Sequence, residues 1–232
     1  MTKPNAVIVG AGAGLSASLA RLLAAQGYAI TLAARSPEKL SDLAAEIGAS
    51  VVQCDVSDAA SVAALFAGID GDIRVAVANP SARVRGPVAE LAPDDVRRAI
   101  DVTAYGSFLV GQQAAQRMLG QDPVEGAKGT ILFTGASAGD KGFPLSAPFA
   151  MGKFAQRGLA QSMSRELHPK GIHVAWVNVD GGIRSANRPA DPDAPDAMLD
   201  PDAIAQTYLD LINQHRSAWS HEIAVRPWVE KF

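Results

Sequence analysis

Apolar residues along this chain fall into short unbroken runs that alternate with longer stretches of helical spacing. Ala6-Val7-Ile8-Val9 is one such run, closed by glycines, and predicts a strand buried on both faces. Leu15 to Gln26 follows as a helix, with Leu15, Leu19, Leu22 and Leu23 on one side and Gly27 as its stop. Tyr28 to Ala33 reads as a second strand. Ser36-Pro37 then opens a helix, a capping residue before proline at the first helical position, and Glu38 puts an anion where the helix dipole favours one. Further strands are predicted at Ser50 to Cys54, Ile73 to Ala78, Thr130 to Phe133, Ile172 to Val177 and Glu222 to Val225. The intervening helices run from Asp58 to Ala67, Pro93 to Leu119, Pro148 to Leu167 and Pro201 to Gln214. Strand and helix in strict alternation predict one doubly wound α/β domain over residues 1–232, a parallel sheet of about seven strands with helices on both faces.

Composition narrows the classes. The 232 residues are 48% hydrophobic, and a chain of this size buries roughly 70% of its unfolded surface without a covalent staple. Its single cysteine, Cys54, excludes a disulfide framework and a Cys-rich metal site. His168, His173, His215 and His221 form no metal-ligating set, so no metal is expected. A net charge of −3 with mixed signs argues against nucleic acid as the main partner. No apolar run approaches the roughly 18 residues of a membrane span, and Met1-Thr2-Lys3-Pro4 lacks the apolar region of a signal peptide. A soluble cytoplasmic protein with a small-molecule substrate is expected.

The candidate chemistry lies at the strand ends. Gly10-Ala11-Gly12-Ala13-Gly14-Leu15 joins the first strand to the first helix, where glycines let the backbone turn tightly and approach a pyrophosphate at the helix N-terminus. In a doubly wound chain this is the dinucleotide-binding (Rossmann) position. The second strand ends Leu32-Ala33-Ala34-Arg35-Ser36 without a carboxylate for a ribose 2′-hydroxyl; Arg35 and Ser36 suit a 2′-phosphate instead, which favours NADP(H). In Cys54-Asp55-Val56, Asp55 suits the exocyclic amine of an adenine or, alternatively, a helix N-cap. Gly135-Ala136-Ser137-Ala138-Gly139 matches the nucleophile-elbow pattern of hydrolases, but Asp140-Lys141-Gly142-Phe143-Pro144 follows where a helix is required.

Over essentially its whole length the chain resembles the short-chain dehydrogenase/reductase family. The family's first-turn motif T-G-x-x-x-G-x-G appears as Val9 to Ser16, with the threonine and last glycine replaced. Its N-A-G motif appears as Asn79-Pro80-Ser81, and its segment after the sixth strand as Asp180-Gly181-Gly182-Ile183-Arg184-Ser185. The resemblance implies that Asn79 lies at the cofactor, together with Val56, and that Gly181 and Ile183 lie against the nicotinamide. It also implies an Asn-Ser-Tyr-Lys tetrad, in which tyrosine exchanges a proton with the substrate oxygen while lysine holds the ribose. Aligning Lys153 puts Phe149 in place of the tyrosine, Ala136 in place of the serine and Thr103 in place of the asparagine.

Ser146, seven residues before Lys153, stands where related enoyl reductases carry their tyrosine and is read as a hydrogen-bonding catalytic-site residue. Ser137 is expected to point away, and Tyr105 is the remaining nearby phenol, its plainer reading a buried hydroxyl on the long helix. The expected function is an NADP(H)-binding oxidoreductase with an altered tetrad, transferring hydride to a small carbonyl or an activated C=C. The alternative is a non-catalytic dinucleotide-binding sensor or partner subunit. Residues 181–200 form an expected substrate loop. The aromatic tail at 219–232 is expected to pack on the chain's own sheet or on a neighbouring subunit. The resemblance implies a homodimer or homotetramer built partly from two long helices.

Overall fold

The computed structural model describes residues 3–185 and 188–230; Met1, Thr2, Ala186 and Asn187 of the expected substrate loop, and Lys231 and Phe232 of the tail lie outside the described residues. Seven strands form one parallel sheet: β1 Asn5–Val9, β2 Ala29–Ala34, β3 Ser50–Gln53, β4 Ile73–Ala78, β5 Gly129–Thr134, β6 Ile172–Val179 and β7 Glu222–Val225, in the order β3-β2-β1-β4-β5-β6-β7. Every residue of β5 and β6 is buried, which explains their nearly unbroken apolar sequences. Side chains alternate between two cores. Ala175, Val177 and Val179 of β6 face α1 Leu15–Ala25, α2 Ser41–Ile47 and α7 Pro201–Ile212. Val174 and Trp176 face α3 Ala59–Ala67, α5 Gly106–Leu119 and α6 Ala147–Leu167. No helix among the described residues is long and apolar enough to cross a membrane.

Three local expectations change. The stretch from Pro93 to Leu119 is not one uniform helix: α4 Pro93–Ile100 passes through a π-helical turn, Asp101–Tyr105, into α5. Thr103 in that turn is fully buried and accepts a hydrogen bond from the Ala82 backbone N–H at 3.0 Å, while a Cβ on Gly152 of α6 would stand 2.8 Å from it. The widened turn therefore serves a tertiary contact, as single π turns often do near functional sites. It also carries Tyr105 outward, where the ring is 45% exposed and stacks on Phe108, so its hydroxyl is not buried. The helix after Ser36 starts as a 3₁₀ turn, Pro37–Leu40, and Ser36 makes no side-chain cap.

The aromatic tail is divided by β7. Trp219 precedes that strand and stacks on His173 of β6, ring centroids 5.0 Å apart. Trp228 follows it, at the opposite end of the sheet, and donates its indole N–H to Asp196 at 3.1 Å. An ion-paired Arg157 on α6, bonded to Glu222 of β7 and to Asp140, clamps the edge strand to the loop after β5.

Candidate active site

The strand order reverses between β1 and β4, so their C-terminal ends form the switch point at which a sheet of this kind takes its ligand. Gly10 leaves β1 with φ +83°, and a Cβ there would lie 2.8 Å from the Asn79 carbonyl and the Pro80 nitrogen. Only glycine lets the two strand ends approach this closely. Asn79 then stitches them, its amide donating to Ser16 Oγ at 2.8 Å and to the Gly10 carbonyl at 3.3 Å. Gly12 and Gly14 have the opposite surroundings: a Cβ on either meets nothing within 4 Å. Gly14 is the N-cap of α1 without any side-chain cap, and the first turn holds no acidic residue. Around Gly12, Ala13, Gly14 and Leu15 the uncapped amides and the positive end of the helix dipole thus face open space, a cradle that fits an anion. Leu15 itself is core.

At the end of β2 the guanidinium of Arg35 is exposed and hydrogen-bonds to nothing among the described residues, with Ser36 half-buried beside it. Asp55 is not the cap of α3. That role belongs to Asp58, which accepts from the Ala60 N–H at 3.0 Å. Asp55 instead accepts from the backbone N–H and hydroxyl of Ser57, and these bonds, with nearby Arg35, hold its carboxyl below the usual range. Val56 is buried, and a Cβ on Gly106 would approach it to 2.9 Å.

On α6, Lys153 is 2% exposed. Its ammonium donates to the Thr134 carbonyl at 2.6 Å and to Gln156 Oε1 at 3.3 Å, leaving the third N–H for another acceptor. Gln156 passes the order along, donating to Ser107 Oγ at 2.8 Å, and Ser107 donates to the Thr103 carbonyl at 2.6 Å. All four side chains are buried, so the chain of bonds ties Lys153 to the π turn. Burial pushes the Lys153 ammonium down to about 7, and repulsion from Arg83 acts in the same direction.

Phe149 lies in the first turn of α6, four residues before Lys153, and is also buried. The Arg83 guanidinium covers its ring, 4.3 Å from the centroid. Ala136 is extended at the end of β5, and Ser137 begins a 3₁₀ turn rather than continuing the strand. Ser146 is the N-cap of α6, half-buried, and its hydroxyl caps nothing. Just before it, Leu145 sits at φ +61°, a strained conformation for a branched residue, where its carbonyl accepts from the Gly86 N–H at 3.1 Å.

The chain has three tyrosines, and none hydrogen-bonds to Lys153. Tyr208 is fully buried in the core of α1 and α7, where it donates to Thr134 Oγ1 at 2.8 Å and burial pushes its hydroxyl pKa up. Tyr28 lines a cleft of about 1300 Å³ at the N-terminal end of the strands, remote from all of these groups.

The segment after β6 closes the remaining side. Gly181 abuts the tail, since a Cβ there would lie 2.8 Å from Pro227 Cδ; Ile183 bridges to Leu199. Asp180 is buried, with Arg226 3.7 Å away. Sequence reasoning missed Arg83, Gln156 and Ser107. Gln156 was accessible in principle, three residues past Lys153 on the same helical face. Arg83 had only its position just beyond a strand end.

Compared with known proteins, the chain matches the family model described as short chain dehydrogenase over residues 4–191. A short-chain dehydrogenase from Rhodopseudomonas palustris superposes with a TM-score of 0.83 at 32% identity, covering 98% of this chain and 100% of that one. A metagenomic short-chain oxidoreductase in complex with NADP gives a TM-score of 0.82 at 26% identity, with 97% and 98% covered. An uncharacterized oxidoreductase of Staphylococcus aureus strain N315 is 27% identical over 240 residues, spanning 98% of each chain.

Proposed function

This chain belongs to the short-chain dehydrogenase family, and from that membership we propose an NADP(H)-dependent oxidoreductase with an altered catalytic tetrad, acting on a small substrate with an activated C=C. The observation that carries the reading is a buried lysine bonded at the C-terminal end of β5 and an open glycine cradle after β1 in the same sheet, with a ring lacking a hydroxyl one helical turn before that lysine. In this reading the amides of Gly12, Ala13, Gly14 and Leu15 hold the pyrophosphate, and Gly10 and Asn79 shape the turn. Arg35 and Ser36 take the 2′-phosphate, and Asp55 and Val56 border the adenine. Gly181 and Ile183 back the nicotinamide, and the spare N–H of Lys153 meets the ribose hydroxyls. When bound, the nicotinamide supplies or accepts the hydride.

The side chains favour an unusual substrate. Phenylalanine exchanges no proton, and a positioned acid or base is typically worth 10²- to 10⁴-fold. Simple ketones, which need a proton on oxygen, are therefore disfavoured. An activated C=C takes its proton on carbon from water, while Ser146 Oγ and the Lys153 charge polarise the activating oxygen. The same Phe149 ring also favours a rival without turnover, a dinucleotide-binding sensor or partner subunit. Exposed Tyr105, Phe108, Met151 and Phe154 on the helices from the π turn through α6 support a homodimer or homotetramer.

NADPH fluorescence titration followed by a substrate panel tests the reading. NADPH should bind more tightly than NADH and be consumed by enones but not by simple ketones. Phe149→Tyr with Ala136→Ser should then introduce ketone reduction. Binding without consumption by any substrate selects the sensor, and absence of NADPH binding overturns both.

A further inference from the structure

The loop after β4 is held on both sides of Arg83. The Ala82 N–H bonds to Thr103 Oγ1 at 3.0 Å, and the Gly86 N–H bonds to the strained Leu145 carbonyl at 3.1 Å. Between these two points the guanidinium lies over Phe149, 4.3 Å from the ring centroid. A stacked guanidinium uses its face and keeps its in-plane N–H groups free, and those form the planar fork that matches a carboxylate. Arg83 makes no hydrogen bond or ion pair with any described residue, although its charge reaches Lys153. The guanidinium thus sits over a ring one turn of α6 before Lys153, and neither basic group bonds a carboxylate among the described residues.

We propose that Arg83 anchors a carboxylate of the substrate, so that the site takes small carboxylate-bearing molecules, the ring of Phe149 serving as the platform that aims the anchor. This rests on the oxidoreductase reading above and narrows its substrate class. The anchoring is distinct from proton transfer, because a guanidinium stays charged at any working pH. It also gives the replaced tyrosine a use: a phenol there would put a hydroxyl at the proton-donor position, whereas the bare ring only supports the arginine.

The test uses the full chain with NADPH bound and two enone acids, 4-oxopent-2-enoate and 3-oxocyclohex-1-ene-carboxylate, each against its methyl ester. Saturated 4-oxopentanoate and its ester provide a binding readout, by calorimetry, without C=C reduction. Each acid should be preferred over its ester at least tenfold in kcat/KM, and the saturated acid over its ester in Kd. Arg83→Met, which keeps the length and the apolar contact with the ring, should abolish these preferences, and Arg83→Lys should restore them in part. NADPH affinity, measured on every variant, separates the two failures. If NADPH does not bind the unsubstituted protein, the oxidoreductase reading falls. If NADPH binds while acid and ester are treated alike, or while Arg83→Met leaves the preference intact, the anchor is wrong and the reading stands.

Discussion

Lys153 is the residue whose state is most sensitive to its surroundings. An unfolded chain keeps such an ammonium protonated up to about 10.5, whereas burial brings it to about 7 in the folded protein. Between those values the unfolded state binds more protons, so this group makes stability rise with pH from near 7 towards 10.5, and its penalty is fully present below 7. At roughly 1.4 kcal/mol per unit the penalty is a few kcal/mol, partly offset by the bonds to Thr134 and Gln156. Lys153→Met should therefore raise the Tm of the cofactor-free protein at pH 6 by a few degrees, with the gain vanishing or reversing by pH 10. Thermal unfolding across that range checks it; a variant less stable at pH 6 than at pH 10, relative to the parent, contradicts it. A buried cation kept at such a cost is the pattern of a functional residue rather than a structural one.

At the scale of elements, the close contact of β1 and β4 depends on Gly10. A left-handed backbone costs a side-chain-bearing residue about 1–2 kcal/mol, and the added methyl would meet the Asn79 and Pro80 backbone at 2.8 Å. Gly10→Ala should cost at least 2 kcal/mol in urea unfolding, on the scale of an overpacked core, and a loss under 1 kcal/mol would show that the strand ends yield. The strands were legible because residues buried on both faces of a parallel sheet leave no polar interruptions, as Ile131, Leu132 and Phe133 illustrate. The glycine turn was legible for a similar reason, its residues being demanded by the local backbone. The π turn was not, since it answers to Ala82 and Gly152, neither of them local to it. Arg83 was hidden for the same cause: its partner Phe149 lies on another element, and no local spacing announces a contact of that kind.

For the whole molecule, part of the apolar surface left uncovered lies on the helices around the sheet's second core. Phe108 is 40% exposed and Met151 52% exposed, values high for residues of their type and typical of a surface that a partner covers. On the proposed homodimer or homotetramer, Phe108→Glu with Met151→Glu should leave monomers in sedimentation equilibrium; an unchanged oligomer mass would put the interface elsewhere. The other whole-chain arrangement joins segments far apart in sequence. Pro227 fills the space beside Gly181, and Trp228 holds Asp196 across the same opening. The loop after β6 is thus moulded by residues encoded some distance downstream of it. Anyone exchanging that loop for one from a relative has to transplant the matching end of the chain along with it.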